Sequence, residues 1–163
     1  MTPLHFYQVA DITPAAVDAI LPALLQKAYG SGQHTLLLAP NAERAQRLDE
    51  GLWGGLGALG PESFLPHAML GKGQEEAQPI LIANTEEHPE LAAHAAQRLP
   101  LVLAGAEAPL PSLIAANPAR IFYVFSTAPH DTTRARALYK TYKAQGHPLK
   151  YYAQENGRWV EKG

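Results

Sequence analysis

Leu36-Leu37-Leu38 stands between Gly32 and Pro40, and Ile121-Phe122-Tyr123-Val124-Phe125 repeats the pattern with β-branched and aromatic residues throughout. Both runs are short and apolar and predict strands, the first of them buried on both faces of a sheet. Between them the apolar period changes. Val17, Ile20, Leu21, Leu24, Leu25 and Ala28 recur at helical spacing, with Thr13 placed to cap the helix, Pro14 at its first position and Gly30 and Gly32 to end it. Pro22 lies inside that helix and predicts a kink or a late start. A second helix follows Asn41, with Ala42, Ala45, Leu48 and Leu52 inward and Glu43, Arg44, Arg47 and Glu50 wet, Glu43 and Arg47 being spaced as an ion pair.

Further strands are expected at 4–10, 34–39, 79–83 and 101–104, a helix at 89–99, a short helix at 113–116 and a long final helix at 131–145. Residues 150–153 read as an edge strand that turns at Glu155-Asn156-Gly157 toward Arg158-Trp159-Val160. Residues 54–77 are glycine-rich, carry no sustained period and read as a long surface loop. Alternating strands and helices predict an α/β fold, one domain over residues 1–163, with a mostly parallel sheet and helices on both faces.

Composition narrows the function. The net charge is −2 and there is no cysteine, so the whole molecule lacks a cationic field for nucleic acid, and thiolate catalysis and cysteine-ligated metal are excluded. The opening Met1-Thr2-Pro3-Leu4-His5-Phe6 has no basic region before an apolar core, and no apolar run approaches the roughly 20 residues that cross a bilayer. A cytoplasmic chain with no membrane contact is the expectation.

The candidate chemistry is weak. Gly55-Leu56-Gly57-Ala58-Leu59-Gly60 spells a dinucleotide fingerprint, but it follows a helix rather than a strand, so a flexible link is the better reading. Gly71-Lys72-Gly73 fails as a phosphate loop because glycine, not a hydroxyl residue, follows the lysine. His5, His34, His67, His88, His94, His130 and His147 form no metal-ligand spacing and read as solvated or supporting residues. Ser63 lies outside a nucleophile elbow, which leaves a hydrolase built on Ser63 and His67 without an orienting acid. No catalytic residue, metal ligand or cofactor is assigned.

Docking features are more specific. On the last helix Ala135, Leu138 and Tyr142 share an inner face, while Arg136, Tyr139, Lys140 and Lys143 share another, with Asp131 the one nearby acid. A wet helix with cations near its negative end is the plain reading. The same strip also suits an acidic peptide with a terminal aromatic residue, Arg136 gripping the carboxylate. Trp53 at a helix end and Phe64 in the loop beside Leu65 and Pro66 read either as core or as a shared apolar docking patch.

The pattern Arg47-Leu48-Asp49-Glu50-x-Leu52-Trp53, then Glu62-Ser63-Phe64-Leu65-Pro66-His67, and Arg136-x-x-Tyr139-Lys140-x-Tyr142 resembles the chi subunit family of bacterial DNA polymerase III. The resemblance implies a nucleotide-binding or helicase-like α/β fold without a working phosphate loop. It implies that Trp53, Phe64, Leu65 and Pro66 face the psi subunit or another clamp-loader subunit, and that Arg136, Tyr139, Lys140 and Lys143 take the C-terminal tail of single-stranded-DNA-binding protein. DNA would then be met only indirectly, in a nucleoid-associated replisome, and the nucleotidyltransferase chemistry would lie in other chains of the DNA-directed DNA polymerase. Two departures from the family pattern stand out: a longer connection at 54–60, and Thr132 where members carry a lysine. The alternatives are a small nucleotide-dependent enzyme, with its ligand at the strand ends, and a direct single-stranded nucleic-acid module.

Overall fold

The short apolar runs lie side by side in the middle of one sheet. The computed structural model describes residues 1–53, 66–71, 78–87 and 91–163. Its strands are β1 (Leu4–Gln8), β2 (Thr35–Ala39), β3 (His67–Met69), β4 (Ile80–Asn84), β5 (Leu99–Leu103), β6 (Ile121–Phe125), β7 (Leu149–Glu155) and β8 (Arg158–Glu161). They are ordered β3-β4-β2-β5-β6-β1-β7-β8, and all pair in parallel except β7 with β8. The helices are α1 (Pro14–Gly30), α2 (Ala42–Trp53), α3 (Ala92–Ala95), α4 (Leu110–Ala115) and α5 (Pro129–Ala144).

Every residue of β2, β4 and β5 is buried, as continuous apolar strands between two helical layers must be. Because side chains alternate along a strand, Leu37 and Val124 meet Val17, Leu21, Leu25 and Leu48 of α1 and α2 on one face. Leu36, Leu38, Tyr123 and Phe125 meet Leu113 of α4 and Ala135 and Tyr142 of α5 on the other. The mostly parallel α/β sheet with helices on both faces is therefore as the alternation predicted.

Local chemistry sets the element ends. Ala16 N–H donates to the Thr13 hydroxyl at 3.2 Å, and α1 starts at Pro14 and runs through the buried Pro22 without a break. Pro22 has no N–H to offer the Asp18 carbonyl, and the apolar stripe around it carries the helix across that missing bond. Arg44 N–H donates to Asn41 Oδ1 at 2.8 Å, which caps α2. Asn156 and Gly157 both have positive φ, 51° and 74°, the geometry that a two-residue hairpin needs between β7 and β8.

Several expectations are corrected. Residues 67–69, read as loop, form the edge strand β3; three residues are too few to display a period. The helix expected at 89–99 reduces, among the described residues, to Ala92–Ala95, because Leu99 already pairs with Thr35 in β5. The strand thus begins two residues before the expected start, and Pro100 precedes the ladder with β6, which opens at Leu101. Arg44, read as wet, is buried and bonded to Asp18 of α1 at 2.7 Å. Glu43 and Arg47 stay exposed, and the ion pairs found among the described residues do not include theirs.

Candidate functional site

The last helix is fixed at its start by its own acid. Asp131 Oδ2 accepts from Ser126 N–H at 3.1 Å and from the Ser126 hydroxyl at 2.7 Å, and the Ser126 oxygen accepts from Ala128 N–H. The one carboxylate that the sequence put near the cationic strip is thereby engaged at the helix N-terminus, where the dipole favours it. Downstream, Ala135 and Tyr142 are buried and Leu138 is half-buried, whereas Arg136, Lys140 and Lys143 are exposed. No salt bridge among the described residues includes any of these three cations.

Tyr139 departs from the expected wet face. It is half-buried, with its ring 5.5 Å from Phe6 at 65° and 6.2 Å from Tyr151 at 76°. Lys143 Nζ stands 5.8 Å from the Tyr139 ring centroid, within cation–π range. Tyr151 donates its hydroxyl proton to Gln8 Oε1. Burial raises the pKa of its phenol, and the Arg136 charge opposes that shift. The strip is therefore three exposed cations on the helix that carries the half-buried Tyr139, with Lys143 against its ring, an arrangement able to take an anion with an apolar neighbour.

At the opposite edge of the sheet, α2 ends on Trp53, whose side chain is on the surface at 62% exposure. Its ring centroid lies 4.9 Å from that of His67. The His67 ring is buried, with Nε2 3.3 Å from the Asp49 carbonyl oxygen and 3.2 Å from Asp49 Oδ1. Both neighbours are acceptors, so Nε2 carries a proton shared between them. His67 thus ties the start of β3 to α2 and backs the indole. Sequence reasoning left it as solvated or supporting, and it takes the supporting role, as does His147, which is buried with Nδ1 3.1 Å from the Thr2 carbonyl oxygen. In both cases the partner is distant in the chain or presented by the backbone, and no local spacing announces it.

Pro66 is half-buried just before β3. Phe64, Leu65, Ser63, His88, Lys72 and the glycines of 54–60 lie outside the described residues, as does most of the 54–77 span. No group of His, Cys, Asp or Glu able to hold a metal occurs among the described residues, and no helix there is long and apolar enough to cross a membrane.

Residues 1–150 match the family described as DNA polymerase III chi subunit, HolC. The DNA polymerase III subunit chi of Escherichia coli (strain K12) is 33% identical over 69 residues, which are 42% of this chain and 44% of that protein. That aligned stretch spans less than half of the relative's length. The family match, by contrast, takes in every element from β1 to the end of α5, and by it the chain belongs to the DNA polymerase III chi subunit family.

Proposed function

We propose that this protein is a non-catalytic accessory subunit of a DNA polymerase III holoenzyme, working in replication as a bridge between two partners. The carrying observation is the match of residues 1–150 to the chi subunit family. In this reading Trp53, Phe64, Leu65 and Pro66 anchor the chain to psi or another clamp-loader subunit. An exposed indole at a helix end, backed by a buried histidine, supports it, since a rigid aromatic anchor loses little freedom on docking.

The second partner is the acidic C-terminal tail of single-stranded-DNA-binding protein, held by Arg136, Tyr139, Lys140 and Lys143. Three exposed cations outside the described salt bridges, one of them 5.8 Å from the centroid of the half-buried Tyr139 ring, support an acidic guest with an aromatic end. DNA is then met through the protein that coats it, consistent with a net charge of −2. The polymerising chemistry belongs to other chains of a cytoplasmic replisome.

The test is calorimetric titration of an acidic peptide ending in phenylalanine against the native protein and Arg136→Ala. Loss of a charge-assisted carboxylate contact of about 1.5–3 kcal/mol weakens binding by roughly 10- to 150-fold. Equal affinities would remove Arg136 from the tail site.

A further inference from the structure

A cavity of about 280 Å3 lies on the α1 side of the sheet, between the C-terminal half of α1 and β2, β5, β6 and β1. Its deep side is apolar, with the buried Leu25 and Leu101, while the rings of Tyr7 and Phe122, 5.8 Å apart at 49°, belong to its wall. Lys27 and Arg120 also line it, and no acidic side chain does among the described residues. Neither cation enters a salt bridge of the described residues, and Arg120 is half-buried. Arg120 lines the same cavity as the aromatic wall of Tyr7 and Phe122. Thr35, 2% exposed, also lines the cavity, and its hydroxyl has no hydrogen-bond partner.

We infer that this cavity binds a small carboxylate whose apolar part is about the size of one aromatic ring. Two cations with no acid beside them call for an anion, and a guanidinium fork matches the two oxygens of a carboxylate. The apolar depth supplies the rest of the affinity only if a ring or branched chain displaces water from it. A volume near the lower end of ligand sites, roughly 300 Å3, holds little more than that single group. Leu25 and Leu101 belong to the core layer under α1 and α2, whereas Ala135 and Tyr142 belong to the layer under α5. The sheet therefore separates this cavity from the α5 strip, and the inference stands or falls apart from the tail-binding reading.

The experiment is an amide-resolved NMR titration of the native chain with N-acetylphenylalanine, its carboxamide, and thymidine 5′-monophosphate. Saturable shifts are expected at Leu24, Gln33 and Phe122, with the carboxamide at least about tenfold weaker than the acid. Arg120→Gln should weaken the acid by a similar factor, read at Leu24, Gln33 and Phe122. The comparison of acid with carboxamide needs no variant and holds even if Arg120→Gln unfolds. Shifts confined to α5, equal affinity for acid and carboxamide, tighter binding of the nucleotide, or no saturable shift at all would each overturn the assignment.

Discussion

Removing Asp18 tests whether one buried ion pair fixes α2 against α1. Arg44 Nη2 lies 2.7 Å from Asp18 Oδ1, and the two side chains are only 10% and 16% exposed. Arg44 Nε has no partner, so the guanidinium depends on this contact for its charge compensation. At that separation the attraction is about 6 kcal/mol for an effective dielectric of about 20, much of it offset by desolvation of both groups. Breaking a buried pair from one side costs about 3–5 kcal/mol because the remaining charge is stranded. The residual exposure lets water recover part of that, so Asp18→Ala should destabilise by about 2–4 kcal/mol. For a chain of this size the loss lowers the melting temperature by roughly 4–16 °C. Asp18→Ala combined with Arg44→Met replaces the stranded cation with an apolar side chain and should be more stable than Asp18→Ala alone by at least about 1 kcal/mol. Urea unfolding at constant slope gives all four free energies of the cycle. An Asp18→Ala loss below about 0.5 kcal/mol, or a double variant costing the sum of the singles, would refute the argument.

Three other outcomes follow from named contacts. Burial pushes the Tyr7 phenol up to about 12 from 10.0, so the unfolded chain loses that proton first; stability should fall as pH rises from about 10 toward 12, and Tyr7→Phe should flatten that part of the denaturation profile. Gly157 has φ of 74° and open space where a Cβ would stand, so Gly157→Ala should cost about 1–2 kcal/mol in urea unfolding from backbone conformation alone. Phe125 is 1% exposed inside the α5-side core, and Phe125→Ala should cost about 3–5 kcal/mol, read as a lowered urea midpoint.

Legibility in the sequence followed the range of the interactions. β6 was readable residue for residue, because five β-branched or aromatic residues in a row leave no other periodicity. The Asn156-Gly157 turn was readable because its backbone angles select those residues. β3 was not, since its place at the sheet edge comes from pairing with β4, and the placement of His67 comes from Asp49 on α2. On α5 the spacing of Arg136, Lys140 and Lys143 gave the exposed face directly. Tyr139 lies at the boundary of that face, and only Phe6 and Tyr151, from strands distant in sequence, decide that its ring turns inward. Arg44 shows the same limit: a charged residue on a helix reads as wet until a partner from another helix supplies the compensating charge.

The two proposed docking surfaces sit far enough apart to be filled together. Trp53 and β3 mark one edge of the sheet, and α5 packs over β6 and β7 toward the other. From β3 to β6 the order β3-β4-β2-β5-β6 contains four strand spacings, about 19 Å at roughly 4.8 Å each. α2 and α5 also belong to opposite core layers, so the sheet itself stands between the sites. Among the described residues no contact joins the two, and substitutions that share no partner and lie more than about 10 Å apart add independently. Trp53→Ala should therefore leave affinity for the acidic peptide unchanged, and Arg136→Ala should leave recovery of clamp-loader subunits unchanged. A bridge needs this independence: if filling one end weakened the other, the chain would exchange its partners instead of joining them.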